Sequence, residues 1–375
     1  MSLPIRTAVV GYGFAGRIFH SQFISAVPGL ELSAIVQRHG DNAATDYPNV
    51  RILRSVDEAF SDPAIDLVVV ATPNESHVEL AKGALRAGKH VVIDKPFAAT
   101  SAEARELITL ATQQAKVLAP FHNRRFDGDF LTVRNVVAEG TLGRITQVIS
   151  HYDRYRPIRR PNTWKEASGP ANGLLFDLGP HLLDQSLALF GAPKSITASI
   201  RSDRDVTAID DAFDIVLEFV LPAVTGQAVS EQAGRGLRYE CHASMLAAEP
   251  AARFRVHGTL GSYLKFGLDP QEAALLAGVR PPKLGSPEPW LPEAVSAWGT
   301  LTLASQLAEP VQLERSKLAS EVGDYRLFYA SVRDAIYGDA PLAISAEDGY
   351  RTIRLLELAL QSSNEKRTLT VDFSG

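Results

Sequence analysis

The sequence predicts an α/β protein in two parts. A parallel sheet with helices on both faces comes first, and a second α/β part with a larger, mostly antiparallel open sheet follows. Three observations predict this. The first third alternates short β-rich runs with helical stretches across short connections. One of its runs, residues 66–71 (DLVVVA), is nearly all aliphatic, as a strand buried on both faces must be. After about Asn123 that alternation gives way to runs with period two.

Taken in order, residues 5–10 form an apolar strand that ends in glycines. Residues 14–27 carry Phe14, Ile18, Phe19, Phe23 and Ile24 at helical spacing. Strands are expected at 30–36, 51–53, 66–71, 90–93 and 116–121, with helices at 75–87, stopped by Gly88, and at 102–114. Beyond Asn123 a helix at 130–139 leads into a strand-like run at 144–152, and a helix occupies part of 173–190. Alternating runs at 195–201, 213–219, 239–243 and 254–257 make the larger sheet. Residues 278–292, rich in Pro and Gly, read as a surface loop, and late helices are expected at 324–337 and 346–362. The change of pattern divides the chain into a dinucleotide-sized domain at 1–122 and a second domain at 123–375. A length of 375 residues fits two domains at about 150 residues each.

Composition narrows the function. Hydrophobic residues make up 45% and charged residues 22%, as in an ordinary globular protein. A formal net charge of −5 argues against broad nucleic-acid binding. One cysteine, Cys241, excludes a disulfide scaffold and a Cys-rich zinc site, and it reads as an inert buried thiol. The nine histidines show no H-E-x-x-H or similar spacing, so no metal is expected. No apolar run approaches the roughly 20 residues of a membrane helix, and the N-terminal residues lack the pattern of a signal peptide. The expected compartment is the cytoplasm.

Gly11-Tyr12-Gly13-Phe14-Ala15-Gly16 matches G-x-G-x-x-G. It follows an expected strand and opens an expected helix, the context in which the motif binds a dinucleotide. Gly11 permits the tight turn, Gly13 lets the backbone approach a pyrophosphate, and Gly16 allows close helix–strand packing. The helix start offers free N–H groups to the phosphates. The end of the second strand sorts the cofactor. It reads Val36-Gln37-Arg38-His39, with no carboxylate before Asp41. Arg38 can instead pair with the 2′-phosphate of NADP, with NAD and a merely solvated arginine as the alternatives. A charged hydrogen bond of that kind contributes about 1.5–3 kcal/mol.

Thr72-Pro73-Asn74 and Asp94-Lys95-Pro96 follow two parallel strands at the ends where ligands bind in open α/β sheets. Lys95 there can polarise a substrate oxygen, or be an ordinary surface lysine. Further on, Asp177, His181 and Asp184 fall at i, i+4 and i+7 in an otherwise apolar segment. A histidine beside carboxylates can take a proton from a hydroxyl. The alternative is a buried histidine paired with aspartate for stability alone. Pro180 suits only a first helical turn or a kink, which puts Asp177 near the helix start.

Order and spacing of these motifs together resemble the Gfo/Idh/MocA oxidoreductases. The resemblance rests on the glycine loop, on Ala71-Thr72-Pro73-Asn74 with His77, on Lys95-Pro96, and on Asp177, His181 and Asp184; it covers essentially the whole chain. The nearest branch by this likeness is that of the NADP-dependent scyllo-inositol dehydrogenases. Its signatures here are residues 11–20, His122-Asn123-Arg124-Arg125, residues 153–157, 180–185 and 263–272. The resemblance implies an N-terminal Rossmann domain and a C-terminal domain whose open sheet builds homodimers or homotetramers. It implies that Lys95, Asp177 and His181 are catalytic. His181 would be the general base on a secondary hydroxyl, Asp177 its assistant, and Lys95 the holder of the reacting oxygen. Gly11, Gly13, Phe14, Ala15, Gly16, Arg38, Thr72, Pro73, Asn74, His77 and Lys95 would then face the cofactor, and Asp184 a polyol or sugar substrate. The family's usual Glu-Lys-Pro is Asp94-Lys95-Pro96 here, a Trp usual after the paired arginines is Phe126, and a glycine-rich run is Pro170-Ala171-Asn172-Gly173.

Tyr155 and Trp164 can line a sugar pocket or simply be core. The cationic run of Arg154, Arg156, Arg159, Arg160 and Lys165 reads first as a solvated loop, with a seat for an anionic ligand as the alternative. The function expected is hydride transfer between a nicotinamide cofactor and a cyclic polyol or sugar, with scyllo-inositol as the expected substrate. Two other readings stay open on the same fold: an enzyme that retains NAD for hydrolysis or elimination, and a non-catalytic dinucleotide sensor.

Overall fold

The computed structural model describes residues 3–160, 166–220, 236–287, 289–307 and 309–374. The chain divides by packing into two compact units. The first takes Met1–Phe126 together with Pro270–Trp290 and Asp324–Ile353; the second takes Asp127–Asp269, Leu291–Gly323 and Arg354–Gly375. The first unit thus draws on residues well past the change of sequence pattern at 122/123.

Six parallel strands make the sheet of the first unit: β1 (Ile5–Val10), β2 (Leu30–Val36), β3 (Arg51–Leu53), β4 (Leu67–Val70), β5 (His90–Ile93) and β6 (Leu118–Pro120). Their order is β3-β2-β1-β4-β5-β6. All four residues of β4 are fully buried, as its aliphatic run requires. Val10 pairs with Val36 and Val70, Val36 with Leu53, Val70 with Ile93, and Ile93 with Pro120. The carboxyl ends are therefore level. Five loops leave one edge of the sheet side by side, those after Val10, Val36, Leu53, Val70 and Ile93.

Helices connect these strands: α1 (Ser21–Ala26), α2 (Asn42–Asp46), α3 (Val56–Ser61), α4 (His77–Arg86) and α5 (Ser101–Gln113). Ser55 with Glu58, and Thr100 with Glu103, form capping boxes that start α3 and α5. The helix expected at 14–27 contains a π-helical turn, Gly16–His20, ahead of α1.

Among the described residues the second unit has nine strands: β7 (Ile145–His151), β8 (Ser195–Arg201), β9 (Ala212–Val220), β10 (Gly236–Ser244), β11 (Phe254–Gly258), β12 (Gly261–Lys265), β13 (Gly299–Gln306), β14 (Gln312–Leu318) and β15 (Leu369–Thr370). Their order is β14-β13-β12-β11-β7-β10-β9-β8-β15, antiparallel throughout except for the β7–β10 pair. The last three strands were not expected. β14 is exposed along almost its whole length and shows no apolar alternation, so it lacks the pattern that marks a half-buried strand. Helices α6 (Gly128–Ala138) and α7 (Leu174–Phe190) belong to this unit, and α7 packs on β9 and β10. The remaining helices are α8 (Gln271–Leu276), α9 (Arg326–Tyr337) and α10 (Ala346–Glu365). Cys241 is fully buried on β10, where burial pushes its thiol up, as an inert cysteine requires. Among the described residues no helix is long and apolar enough to cross a membrane.

One face of the larger sheet is polar. His242 Nδ1 lies 2.6 Å from Asp214 Oδ1, and its ring stacks on His151 with centroids 4.6 Å apart. Burial works against the His242 cation, but Asp214 and Glu240 outweigh it and raise its pKa above the ordinary 6.5. The His242 hydrogen bond and Arg201 hold Asp214 down at about 2 despite burial. The two shifts bracket a pH window. The raised histidine stabilises fully below pH 6.5 and loses its contribution as pH rises through the raised value. The lowered aspartate stabilises above its ordinary 3.8 and loses its contribution as pH falls toward 2. Melting temperature should therefore form a plateau from about pH 4 to 6.5. In His242→Gln the decline on the alkaline side should disappear; a decline of the same size in that variant would rule out this pair as its source.

Candidate functional site

The glycine loop leaves β1 at Gly11, whose φ of +99° is open to glycine. A Cβ on Gly11 would meet the Ala71 carbonyl oxygen at 2.6 Å, and one on Gly16 would meet the Gly11 carbonyl oxygen at 2.0 Å. Both glycines thus serve close backbone packing. Gly13 differs: it is exposed, and a Cβ there would meet nothing within 4 Å. Its open side is where a pyrophosphate can approach. Phe14 is exposed and lies edge-on to Phe19, and Ala15 is half-buried. Tyr12 and Arg17 both bond the Asp46 carboxylate, Tyr12 at 2.8 Å and Arg17 Nε at 2.7 Å, which ties the loop to α2.

The next loop along the edge follows β2. Arg38 is exposed. Arg54, just past β3, shapes this loop: its guanidinium donates to the carbonyls of Gln37 (3.0 Å) and Gly40 (2.7 Å) and pairs with Asp41 at 2.6 Å. The nearest carboxylate after β2 is therefore already engaged. Sequence reading missed Arg54 because its partners lie 13 to 17 positions away.

At the end of β4, Thr72 Oγ1 accepts a hydrogen bond from Ser76, and Pro73 and Asn74 are exposed or half-buried. His77 begins α4. It is 1% exposed, with Nε2 2.8 Å from the Thr72 carbonyl oxygen and Nδ1 2.9 Å from that of Pro96. Each ring nitrogen lies within hydrogen-bond distance of a protein carbonyl, one in each loop, so His77 ties the two loops together. Lys95 is half-buried at the end of β5, and its backbone N–H donates to Asp94 Oδ1 at 2.8 Å.

In the second unit, α7 carries the acidic-histidine set. Gly173 precedes it with φ +96°, and a Cβ there would sit 2.0 Å from Asp210 Oδ1. That approach lets Asp210 Oδ2 accept from the Leu175 amide at 2.6 Å and cap the helix from another loop. Asp177 lies in the first turn, while Pro180 is in the helix body. His181 and Asp184 are buried at 6% and 1% exposure among leucines. Arg154 reaches Asp177 at 3.2 Å, and Glu166 bridges Arg160 and Arg204. Arg159 and Arg160 are exposed, as a solvated run requires, while Arg154 and Arg160 also pair with carboxylates near the start of α7. Tyr155 is 59% exposed. Trp164 and Lys165 lie outside the described residues.

A family model described as an oxidoreductase family, NAD-binding Rossmann fold, matches residues 5–122, and its C-terminal α/β domain matches 134–372. The chain is 40% identical to the uncharacterized oxidoreductase YdgJ of Escherichia coli, over 98% of this chain and 99% of that one. It is 32% identical to the NADP(+)-dependent scyllo-inositol 2-dehydrogenase IolW of Bacillus subtilis, over 98% and 96%. An oxidoreductase structure from Yersinia pestis superposes with TM-score 0.88 at 38% identity, covering 100% of this chain and 99% of that one.

The two glycine environments predict different failures. Gly13→Ala should keep its melting temperature and lose dinucleotide affinity, because only the approach side is filled. Gly16→Ala should lose both, since its Cβ meets backbone that has no room to move. Calorimetry with parallel cofactor titration separates them; equal melting losses in both variants would refute the distinction.

Proposed function

The chain belongs to the Gfo/Idh/MocA oxidoreductase family, and on that premise we propose that it transfers hydride between NADP and a secondary hydroxyl or ketone of a cyclic polyol or sugar. The observation that carries this reading is the α7 face. A histidine and two aspartates on so apolar a helix are a cost that stability alone does not require. The scyllo-inositol dehydrogenase among its relatives supports a polyol such as scyllo-inositol as substrate.

The residues fit a dinucleotide. Gly13 leaves open space for a pyrophosphate, with Arg38 exposed one loop away. The loop after β2 presents exposed Arg38 ahead of its first carboxylate, Asp41, which already pairs with Arg54 through Oδ1, and this supports NADP. When bound, the nicotinamide supplies the hydride acceptor at C4. His181 takes the hydroxyl proton on its imidazole during oxidation and returns it in reduction. Asp177, paired with Arg154 at 3.2 Å, stabilises the resulting cation. The Lys95 ammonium steadies negative charge on the reacting oxygen. Asp184 orients a neighbouring hydroxyl of the substrate. The same reading makes a homodimer or homotetramer in the cytoplasm the working form.

Absorbance at 340 nm with NADP and then NAD, against inositols, aldoses and anhydro-sugars, tests the proposal. NADP-dependent turnover with one polyol or sugar class is expected; cofactor binding with no turnover across the panel would reject it. Lys95→Met and His181→Asn should each lower kcat by about 10²–10⁴ while leaving cofactor affinity in place. Unchanged kcat in either variant would remove that residue from the chemistry. Arg38→Asp should cut NADP preference by about 10- to 150-fold, the worth of one charged hydrogen bond. An unaltered NADP to NAD ratio would sink the assignment.

A further inference from the structure

One buried polar group of the first unit has no part in the reading above. His20 closes the π-helical turn that begins at Gly16 and is fully buried. Its ring lies against Phe121, with centroids 4.3 Å apart. Two polar groups break this apolar shell. The Tyr329 hydroxyl on α9 is 2.6 Å from Nδ1, and Asp94 Oδ1 is 3.9 Å from Nε2. Among the described residues Nε2 has no hydrogen-bond partner, and at 3.9 Å its interaction with Asp94 is electrostatic.

The direction of the chain of contacts follows from Tyr329. Burial and the Asp94 charge push its hydroxyl well above its ordinary range, so it keeps its proton and donates it to Nδ1. The imidazole proton then sits on Nε2, the nitrogen that faces Asp94. Asp94 Oδ1 in turn accepts the backbone N–H of Lys95. Hydroxyl, imidazole, carboxylate and amide thus form one line, from α9 to the lysine at the end of β5.

We propose that His20, set in its tautomer by Tyr329, is a positioning residue that holds the Asp94 carboxylate, and through it the backbone of Lys95, in one arrangement. The kinetic part of this proposal rests on the role of Lys95 given above. Asp94 is faced by His20 from the turn after β1, by His77 from α4, by its neighbour Lys95, and by Tyr329 beyond His20. Burial works to raise its pKa, and His20, His77 and Lys95 together hold it down at about 2. Without His20, burial meets less opposition. Asp94 then takes up a proton at higher pH, and its hold on the Lys95 amide weakens as pH falls.

The test is the Lys95 amide resonance in the ¹⁵N-labelled full chain, followed from pH 5 to 8. Wild type should show a flat shift. His20→Phe, which keeps an aromatic ring, should move the resonance upfield and make it pH-dependent. Tyr329→Phe should move it the same way, and His20→Gln, whose amide replaces the Nε2 donor, should bring it back. In turnover, His20→Phe and Tyr329→Phe should lower kcat by about tenfold to a hundredfold with the KM for NADP within about threefold, as displaced catalytic groups do. A Lys95 resonance identical to wild type in folded His20→Phe overturns the proposal, as does an unmoved resonance in Tyr329→Phe should His20→Phe not fold. The resonance needs no turnover. A failed polyol assay therefore counts against the function alone, and an unmoved resonance in an active enzyme counts against His20 alone.

Discussion

Backbone passes backbone at Gly11 and Gly16 more closely than any side chain allows, and much of the first unit follows from that approach. A Cβ on Gly16 would sit 2.0 Å from the Gly11 carbonyl oxygen, so the helical turn can begin directly against the end of β1. The same geometry leaves Gly13 facing open space. It also brings His20, four residues past Gly16, into the aromatic nest beside Phe121 and Tyr329. The level register of β1 with β2 and β4 then sets the neighbouring loops beside the glycine turn, and His77 ties two of them together through the carbonyls of Thr72 and Pro96. A loop site of this kind is held in place by the rigid strands beneath it together with side-chain ties such as that of His77.

The second unit solves a different problem. α7 is strongly apolar but carries Asp177, His181 and Asp184 along one face. Its start is capped by Asp210, and the charge of Asp177 is met by Arg154. Half-buried carboxylates such as these lose part of their hydration, and the partners replace it. The arginines near residue 154 are therefore part of the support of this face.

Some of this was legible in the sequence, and the pattern of what was not has a physical cause. The strands of the first sheet could be read because they are buried on both faces, which demands aliphatic runs such as that of β4. β14 could not, because an almost fully exposed strand carries no alternation. Asp177 does lie in the first turn, but Pro180 lies inside the helix, deeper than the first turn from which the position of Asp177 was argued. His77 was visible as a motif residue, but its task as a tie between loops was not, since Pro96 lies 19 positions away.

What the sequence determined by itself was local: the glycine spacing, the aliphatic strand runs, and the i, i+4, i+7 placement of Asp177, His181 and Asp184. These depend on steric and periodic rules that act within a few residues. Tertiary structure alone decided which charges meet. Arg54 with Asp41, Arg154 with Asp177, and His20 between Tyr329 and Asp94 join residues that are 13 to 309 positions apart. Coulombic and hydrogen-bonding partners are chosen by distance in space, and no sequence period encodes that distance; only the packed sheets and helices bring it below 4 Å.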